Sequence, residues 1–236
     1  MKIKNILKFI FWKLFNLRKQ FLRYKYLKNK YGGLSNKEIF TKIYVDKVWN
    51  KESTLNYDSG PGSHEDHIVI PYVSKIKTFL NKNRNLIVID LGCGDFNVGS
   101  KIYKYTKRYI AIDVVSELIE RNKKLFISEN LIFKSIDATN QKIPNGDLIL
   151  IKEVFQHITN KDIKAILKKT FNFKYIIVTE SEPLTRFKPN IDKLKGHTCR
   201  TDLNSGIVLD KAPFNLKYKE KRELMKIKRT DRYITT

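Results

Sequence analysis

The chain has 236 residues, enough for one large α/β domain with some decoration, and 42% of them are hydrophobic, so a core can form. Its two cysteines, Cys93 and Cys199, are too few and too far apart for a disulfide framework or a zinc site, which points to a reducing, cytoplasmic location. Lys and Arg number 47 against 24 Asp and Glu, a formal charge of +23, and such a field favours anionic partners.

The excess is concentrated at the ends. Residues 1–30 hold ten Lys or Arg and no acid, and residues 211–236 hold nine against three. A bias toward Lys, Asn and Ile accounts for much of the central excess, but less well for an N-terminus without acids. There, Ile3, Leu7, Ile10, Leu14, Leu17 and Phe21 recur at alternating four and three spacing and predict one helix stripe, widened by Ile6, Phe11, Phe15 and Leu22. The longest apolar run is Phe9–Trp12, too short to span a membrane, and no small-residue cleavage site follows it. Two expectations stand side by side: a helix lying on an anionic membrane surface, peripheral at the inner face of the cell membrane, or a helix packed on its own domain or a partner. Gly32 and Gly33 end the segment.

Residues 34–57 read as a second, mixed helical stretch. In YDSGPGSHEDH (57–67) the Gly60-Pro61-Gly62 run predicts an irregular loop, and Ser63 followed by Asp66 predicts a helix cap leading into a helix over 68–80. Strand and helix then alternate: a strand at 86–91, a short helix at 98–106, a strand at 109–113, a helix at 116–125, and strands at 131–135 and 147–153. A helix at 160–171 and a strand at 175–180 follow. Continuous apolar strands separated by helices predict a parallel sheet covered on both faces. The apolar stretches 206–209 and 224–227 and the final RYITT predict late strands or a hairpin.

The first strand runs into VIDLGCGDFNVGSK (88–101). Gly92 and Gly94 allow a tight turn and close backbone approach at the C-terminal edge of a parallel sheet, where ligands bind. A dinucleotide fold wants a further glycine where Asn97 stands, and Asp90 and Asp95 put carboxylates near the place of a diphosphate. The loop therefore suits a cationic or zwitterionic ligand. Asp113 ends the second strand, nineteen residues after Gly94, where a carboxylate can accept both hydroxyls of a ribose. Asp137 and Ala138 follow the third strand, placed to meet an adenine, although Asp-Ala-Thr-Asn is also turn-like. KEVFQHIT (152–159) follows the fourth.

The order DLGCG, AID, SIDAT and DLILIKEVFQHI, across about residues 86–180, resembles the class I S-adenosylmethionine-dependent methyltransferases. That resemblance implies an α/β fold with a doubly wound, mostly parallel, Rossmann-like methyltransferase sheet, preceded here by an N-terminal helical extension. It assigns residues 1–33 to that basic extension and 34–236 to the methyltransferase domain. The domain divides into N-terminal helices and the GPGS loop (34–85), the cofactor-binding core (86–180) and C-terminal strands with a substrate loop (181–236). S-adenosylmethionine is the implied cofactor, with Asp90, Gly92, Cys93 and Gly94 around its amino acid part, Asp113 at its ribose and Asp137 with Ala138 at its adenine. The family often has a third glycine where Phe96 stands, which leaves this loop stiffer. SGPGS (59–63), CGDFN (93–97) and GHTCRTDLNSGIVLDKAPFNL (196–216) are similar to a bacterial subfamily commonly encoded with surface-polysaccharide genes. This implies a small-molecule or glycan acceptor, methylated on oxygen or, with less reason, on nitrogen.

Other residues carry their own expectations. His157, on the rim after the fourth strand, is a candidate general base for an acceptor hydroxyl, or a residue that only orients it. Glu153 could contact cofactor or substrate, and Ser63 in the GPGS loop could lid the site. Arg200 could clamp an anionic acceptor with its guanidinium. The run His64 to His67 reads as a cap and first turn rather than a metal site. Nucleic acid is a weaker acceptor candidate, because the fourth strand lacks the Asn/Asp-Pro-Pro-Tyr signature of DNA amino methylases. A nicotinamide oxidoreductase and an inert, membrane-associated binding module are the other classes left open.

Overall fold

The computed structural model describes residues 18–236. The predicted stripe residues Ile3, Ile6, Leu7, Ile10, Phe11, Leu14, Phe15 and Leu17 lie outside that range.

Five parallel strands form the body of the sheet: β1 (Ile87–Leu91), β2 (Arg108–Asp113), β3 (Leu131–Ser135), β4 (Leu148–Lys152) and β5 (Tyr175–Pro183). Two more, β6 (Lys226–Lys228) and β7 (Arg232–Thr235), complete the order β3-β2-β1-β4-β5-β7-β6. β7 runs antiparallel between β5 and β6. The order reverses between β1 and β4, so their C-terminal ends open a crevice at the switch point.

Six helices accompany the sheet among the described residues. They are α1 (residues 18–31), α2 (Asn36–Val45), α3 (Pro61–His64), α4 (Asp66–Lys82), α5 (Ser116–Leu125) and α6 (Asn160–Leu167). α2 and α6 each start on a reciprocal capping box, Ser35 with Glu38 and Thr159 with Asp162. The alternation of β1 and β4 supplies both faces of the sheet. Val88, Leu148 and Leu150 pack with Ile68, Tyr72, Ile76 and Leu80 of α4. Ile89, Leu91, Ile149 and Ile151 face the other way, onto Ile163 and Ile166 of α6. No helix among the described residues is long and apolar enough to cross a membrane.

Several expectations need correction. Residues 98–106 form two 3-10 turns, Gly99–Lys101 and Tyr103–Tyr105, rather than one helix. The 160–171 helix stops at Leu167, and 206–209 is not a strand. Ser63 does not cap the long helix. Pro61 starts a separate four-residue turn, and the long helix begins at Asp66 after an extended Glu65. Proline is pre-set for a first helical position, so the start moved to it.

Candidate functional site

The site is built where four strands end. Past β1 the chain turns at Gly92 (φ 73°) and Gly94 (φ 55°). A Cβ on Gly92 would strike the Val154 side chain, and one on Gly94 would strike the Ser59 hydroxyl. The Gly92 and Cys93 amides both donate to the Ile112 carbonyl, at 2.8 and 3.1 Å, and so fasten the loop to the end of β2.

Asp113 closes β2. Its carboxylate accepts the Gly94 amide at 3.1 Å and the Val115 amide at 3.0 Å, and burial raises its pKa above the ordinary carboxylate value. Two acceptor positions remain on that carboxylate for outside donors. Asp137, past β3, is more fully used. It accepts from the Asn36 carboxamide at 3.1 Å, the Thr139 amide at 3.0 Å and the Thr139 hydroxyl at 2.6 Å. The turn-like reading of Asp-Ala-Thr-Asn is thus realised, and it ties the start of α2 to the sheet edge.

Past β4, Glu153 adopts a left-handed backbone (φ 54°), a strained state for a non-glycine residue. Burial opposes its charge, but the Lys152 ammonium at 2.8 Å prevails and holds its carboxyl below the usual range. The next turn, Phe155–His157, rests on Glu180, whose carboxylate accepts the Phe155 and Gln156 amides at 2.7 and 3.0 Å. Burial, foremost, pushes Glu180 up to about 8. The His157 ring lies 5.3 Å from the Trp49 ring. Burial and then the nearby Lys193 lower His157 to about 3, so the ring is neutral across physiological pH.

These pieces line one cleft of about 380 Å³. Ser63, Gly92, Cys93, Gly94, Asp113, Asp137, Ala138, Glu153 and His157, all expected from the sequence, border it together. Asp90 does not. It points to the α4 side, accepts the Tyr109 hydroxyl at 2.9 Å and lines an adjoining cavity of about 30 Å³ beneath the loop. Burial raises it to about 7.

Arg200 is a correction. It is fully buried and donates to the carbonyls of Phe155, Ile158 and Ile191, so it braces the chain under the His157 turn and offers no face to an acceptor. Asp95 is another. Its carboxylate faces the GPGS segment rather than a ligand: it accepts the Ser59 amide at 2.9 Å and meets the His64 ring at 2.6 Å. The Asp95 amide in turn donates to the Ser59 hydroxyl at 2.9 Å, and the Asn97 carboxamide donates to the Ser63 carbonyl at 2.6 Å. On the far side, Lys152 donates to the Gly62 carbonyl at 2.7 Å. Residues 59–64 are therefore a lid pinned to both the glycine loop and the end of β4.

Asp58, His64 and Asp95 are the ionisable groups that converge here, rather than the run His64–His67. Their acceptor positions are taken by the amides of Ser59 and Gly60 and by the His64 ring, which makes them a latch.

Sequence reading missed Asn36, Tyr44, Trp49, Gln156, His197 and the Arg229–Arg232 turn, which also border the cleft. Gln156 stands inside KEVFQHIT, beside His157, and the others come from distant segments with no motif. The only signal was Trp49, one of two tryptophans in the chain.

Phe96 answers the question of the missing glycine. Its backbone keeps a glycine-like φ of 67°, and its ring turns away from the cleft. The ring is fully buried among Tyr103, Tyr109, Phe126 and Phe133, with centroids 4.8–6.2 Å away.

Residues 88–173 match a family model described as a methyltransferase domain. The chain is similar to an uncharacterized RNA methyltransferase of Nanoarchaeum equitans, 31% identical over 172 residues that cover 70% of this chain and 38% of that protein. It therefore spans well under half the length of that curated relative. Among solved structures, coclaurine N-methyltransferase bound to N-methylheliamine and SAH is similar at 20% identity and a TM-score of 0.44, covering 60% of this chain and 46% of that one. A S-adenosylmethionine-dependent methyltransferase from Clostridium acetobutylicum is similar at 19% identity and a TM-score of 0.44, covering 61% and 56%.

Proposed function

We propose that this chain, which carries a class I S-adenosylmethionine-dependent methyltransferase domain, catalyses methyl transfer to an oxygen of a small-molecule or glycan acceptor. The favoured acceptor is a sugar hydroxyl, as in the building of a surface polysaccharide. The observation that carries this reading is the far end of the cleft, where the Trp49 ring stands 5.3 Å from the neutral His157 ring, beside Gln156 and Glu153. An aromatic face next to a few hydrogen-bonding side chains suits a hydroxylated ring. The lining cations are already paired: Lys152 with Glu153, Arg229 with Glu65 and Arg232 with Asp231. That pairing favours a neutral hydroxyl over an anionic acceptor.

The cofactor half of the cleft fits S-adenosylmethionine. The glycine loop packs too closely on Val154 and Ser59 to admit a Cβ, and Asp113 keeps free acceptor positions for ribose hydroxyls. Since the Asp137 carboxylate is spent on its own turn, the Ala138 main chain beside it becomes the natural adenine contact. Asp90 lies beneath the loop, outside the cleft, and burial favours its neutral form, so the loop's main chain rather than the Asp90 carboxylate is left to hold the amino acid end.

When bound, S-adenosylmethionine supplies an electrophilic methyl group on a sulfonium that departs as a neutral thioether, so acid catalysis is unnecessary. The chain's task is to align the acceptor and exclude water. The pinned lid covers the glycine loop and keeps solvent out. A ring that titrates at about 3 is a poor general base at neutral pH, so His157 holds and orients the acceptor rather than taking its proton.

The test is transfer of a labelled methyl group by the full chain in a screen of nucleotide sugars, glycan extracts and RNA. Label in a sugar fraction supports the reading. Label in RNA alone would replace it with the second reading, nucleic-acid methylation, which rests on the likeness to the Nanoarchaeum RNA methyltransferase. A melting-temperature rise with NAD but none with S-adenosylhomocysteine would remove both.

A further inference from the structure

α1 has two unlike faces. On the inner one, Leu27 and Tyr31 are buried against the domain, and Arg23 pairs with Asp202 at 3.2 Å. The Tyr31 hydroxyl meets the His197 ring at 3.0 Å. At about 100° per residue, Phe21, Leu22, Lys25 and Lys28 fall on the opposite side. Phe21 is 65% exposed and Leu22 54%, while all six charged residues of the helix are basic. An isolated exposed apolar residue needs no explanation, but an adjacent Phe–Leu pair framed by lysines does.

We infer that the outer face of α1 docks on an anionic lipid surface, with Phe21 and Leu22 entering the headgroup boundary and Lys25 and Lys28 pairing with lipid phosphates. Charge complementarity selects this occupant. A second copy of a chain carrying +23 is repelled. Polynucleotide would use the lysines but has no use for an outward leucine, whereas a bilayer uses both. The position of the helix gives docking a consequence. His197 lies against both Tyr26 and Tyr31 of α1, with ring centroids 6.2 and 6.0 Å away, and it also lines the cleft. Docking therefore sets that end of the cleft beside the bilayer. Building on the acceptor assignment above, this specifies an acceptor held at the membrane, such as a lipid-linked sugar.

The test uses the full chain and vesicles of phosphatidylcholine alone or with a quarter phosphatidylglycerol, read by co-sedimentation, with tRNA binding measured in parallel. Wild type is expected to bind only the anionic vesicles. Lys25→Gln/Lys28→Gln should weaken that binding roughly 25-fold, at about fivefold per charge removed. Phe21→Ser should weaken it roughly tenfold, from loss of part of a buried aromatic ring. Unchanged vesicle binding by both variants, or equal binding to neutral vesicles, would overturn the inference. So would variants that lose tRNA while still sedimenting with vesicles. The melting-temperature rise with S-adenosylhomocysteine should be the same in all variants. Loss of that response with vesicle binding intact would count against the methyltransferase reading alone.

Discussion

Replacing Phe96 separates two opposing terms in the glycine loop. Truncating a buried phenylalanine to alanine costs about 3–5 kcal/mol, and here four aromatic neighbours lose a partner. Phe96→Ala keeps the Cβ, and with it the left-handed strain of about 1–2 kcal/mol implied by a φ of 67°. Phe96→Gly removes that strain but adds about 0.5–1 kcal/mol of unfolded-state entropy. It also loses one more buried carbon, worth about 0.8 kcal/mol. These last terms nearly cancel, so the two variants should be equally unstable, within about 1 kcal/mol. At a site with an ordinary backbone, glycine would be clearly worse than alanine. Urea denaturation monitored by circular dichroism reads both values. Because the ring faces away from the cleft, S-adenosylhomocysteine affinity, measured by titration calorimetry on the folded variants, should change less than threefold. An alanine variant as stable as wild type, or a glycine variant more than about 2 kcal/mol below alanine, would refute the assignment of a buried ring on a glycine-like backbone.

Asp113→Ala should weaken S-adenosylhomocysteine binding by roughly 10–100-fold, from loss of hydrogen bonds to a charged acceptor worth about 1.5–3 kcal/mol. Calorimetry checks it, and retained affinity would undermine the ribose contact. His157→Ala should lower turnover while leaving that affinity within about twofold, and the wild-type rate should show no inflection between about pH 6 and 7 that the variant loses. Steady-state rates across pH decide this. Arg200→Met should cost at least about 1–3 kcal/mol, because three buried carbonyls lose their donor. Chemical denaturation measures that loss. Finally, the His64–Asp95 latch carries a pH signature. The hydrogen bond to Asp95 raises His64, so its contribution is full below the ordinary histidine value and is lost as pH rises through the raised one. Burial opposes Asp95, but His64 and two amides hold it low, so its contribution is lost only in acid. The melting-temperature gap between wild type and His64→Gln should therefore be larger at about pH 5.5 than at about pH 9.

Periodicity and turn chemistry made most of the sheet legible. β3 and α5 were placed to the residue, because each is bounded by polar or breaking residues that leave one reading. The error at 98–106 has a local cause, since Gly99 and a run of aromatic and lysine side chains favour tight turns over a regular helix. Asp113 and Glu153 could be found because strand ends are fixed by the apolar runs before them. Arg200 was misread because nothing in a sequence distinguishes an arginine that reaches a ligand from one that reaches three carbonyls. Trp49 and His197 carried no motif for another reason: they enter the cleft from segments that only tertiary packing brings together. The base role of His157 depended on its pKa, which burial and Lys193 set and sequence neighbours do not.

The lid has a consequence for how such a chain can diverge. SGPGS and CGDFN are separated by 29 residues, yet Ser59, His64 and Asp95 exchange their donors and acceptors directly. Replacing His64 alone strips a partner from a buried carboxylate, replacing Ser59 alone removes the hydroxyl that accepts the Asp95 amide, and replacing Asp95 alone leaves the Ser59 and Asn97 amides without their side-chain acceptor. The two segments therefore behave as a single heritable unit. A loop transplanted from a relative should succeed only when its counterpart travels with it.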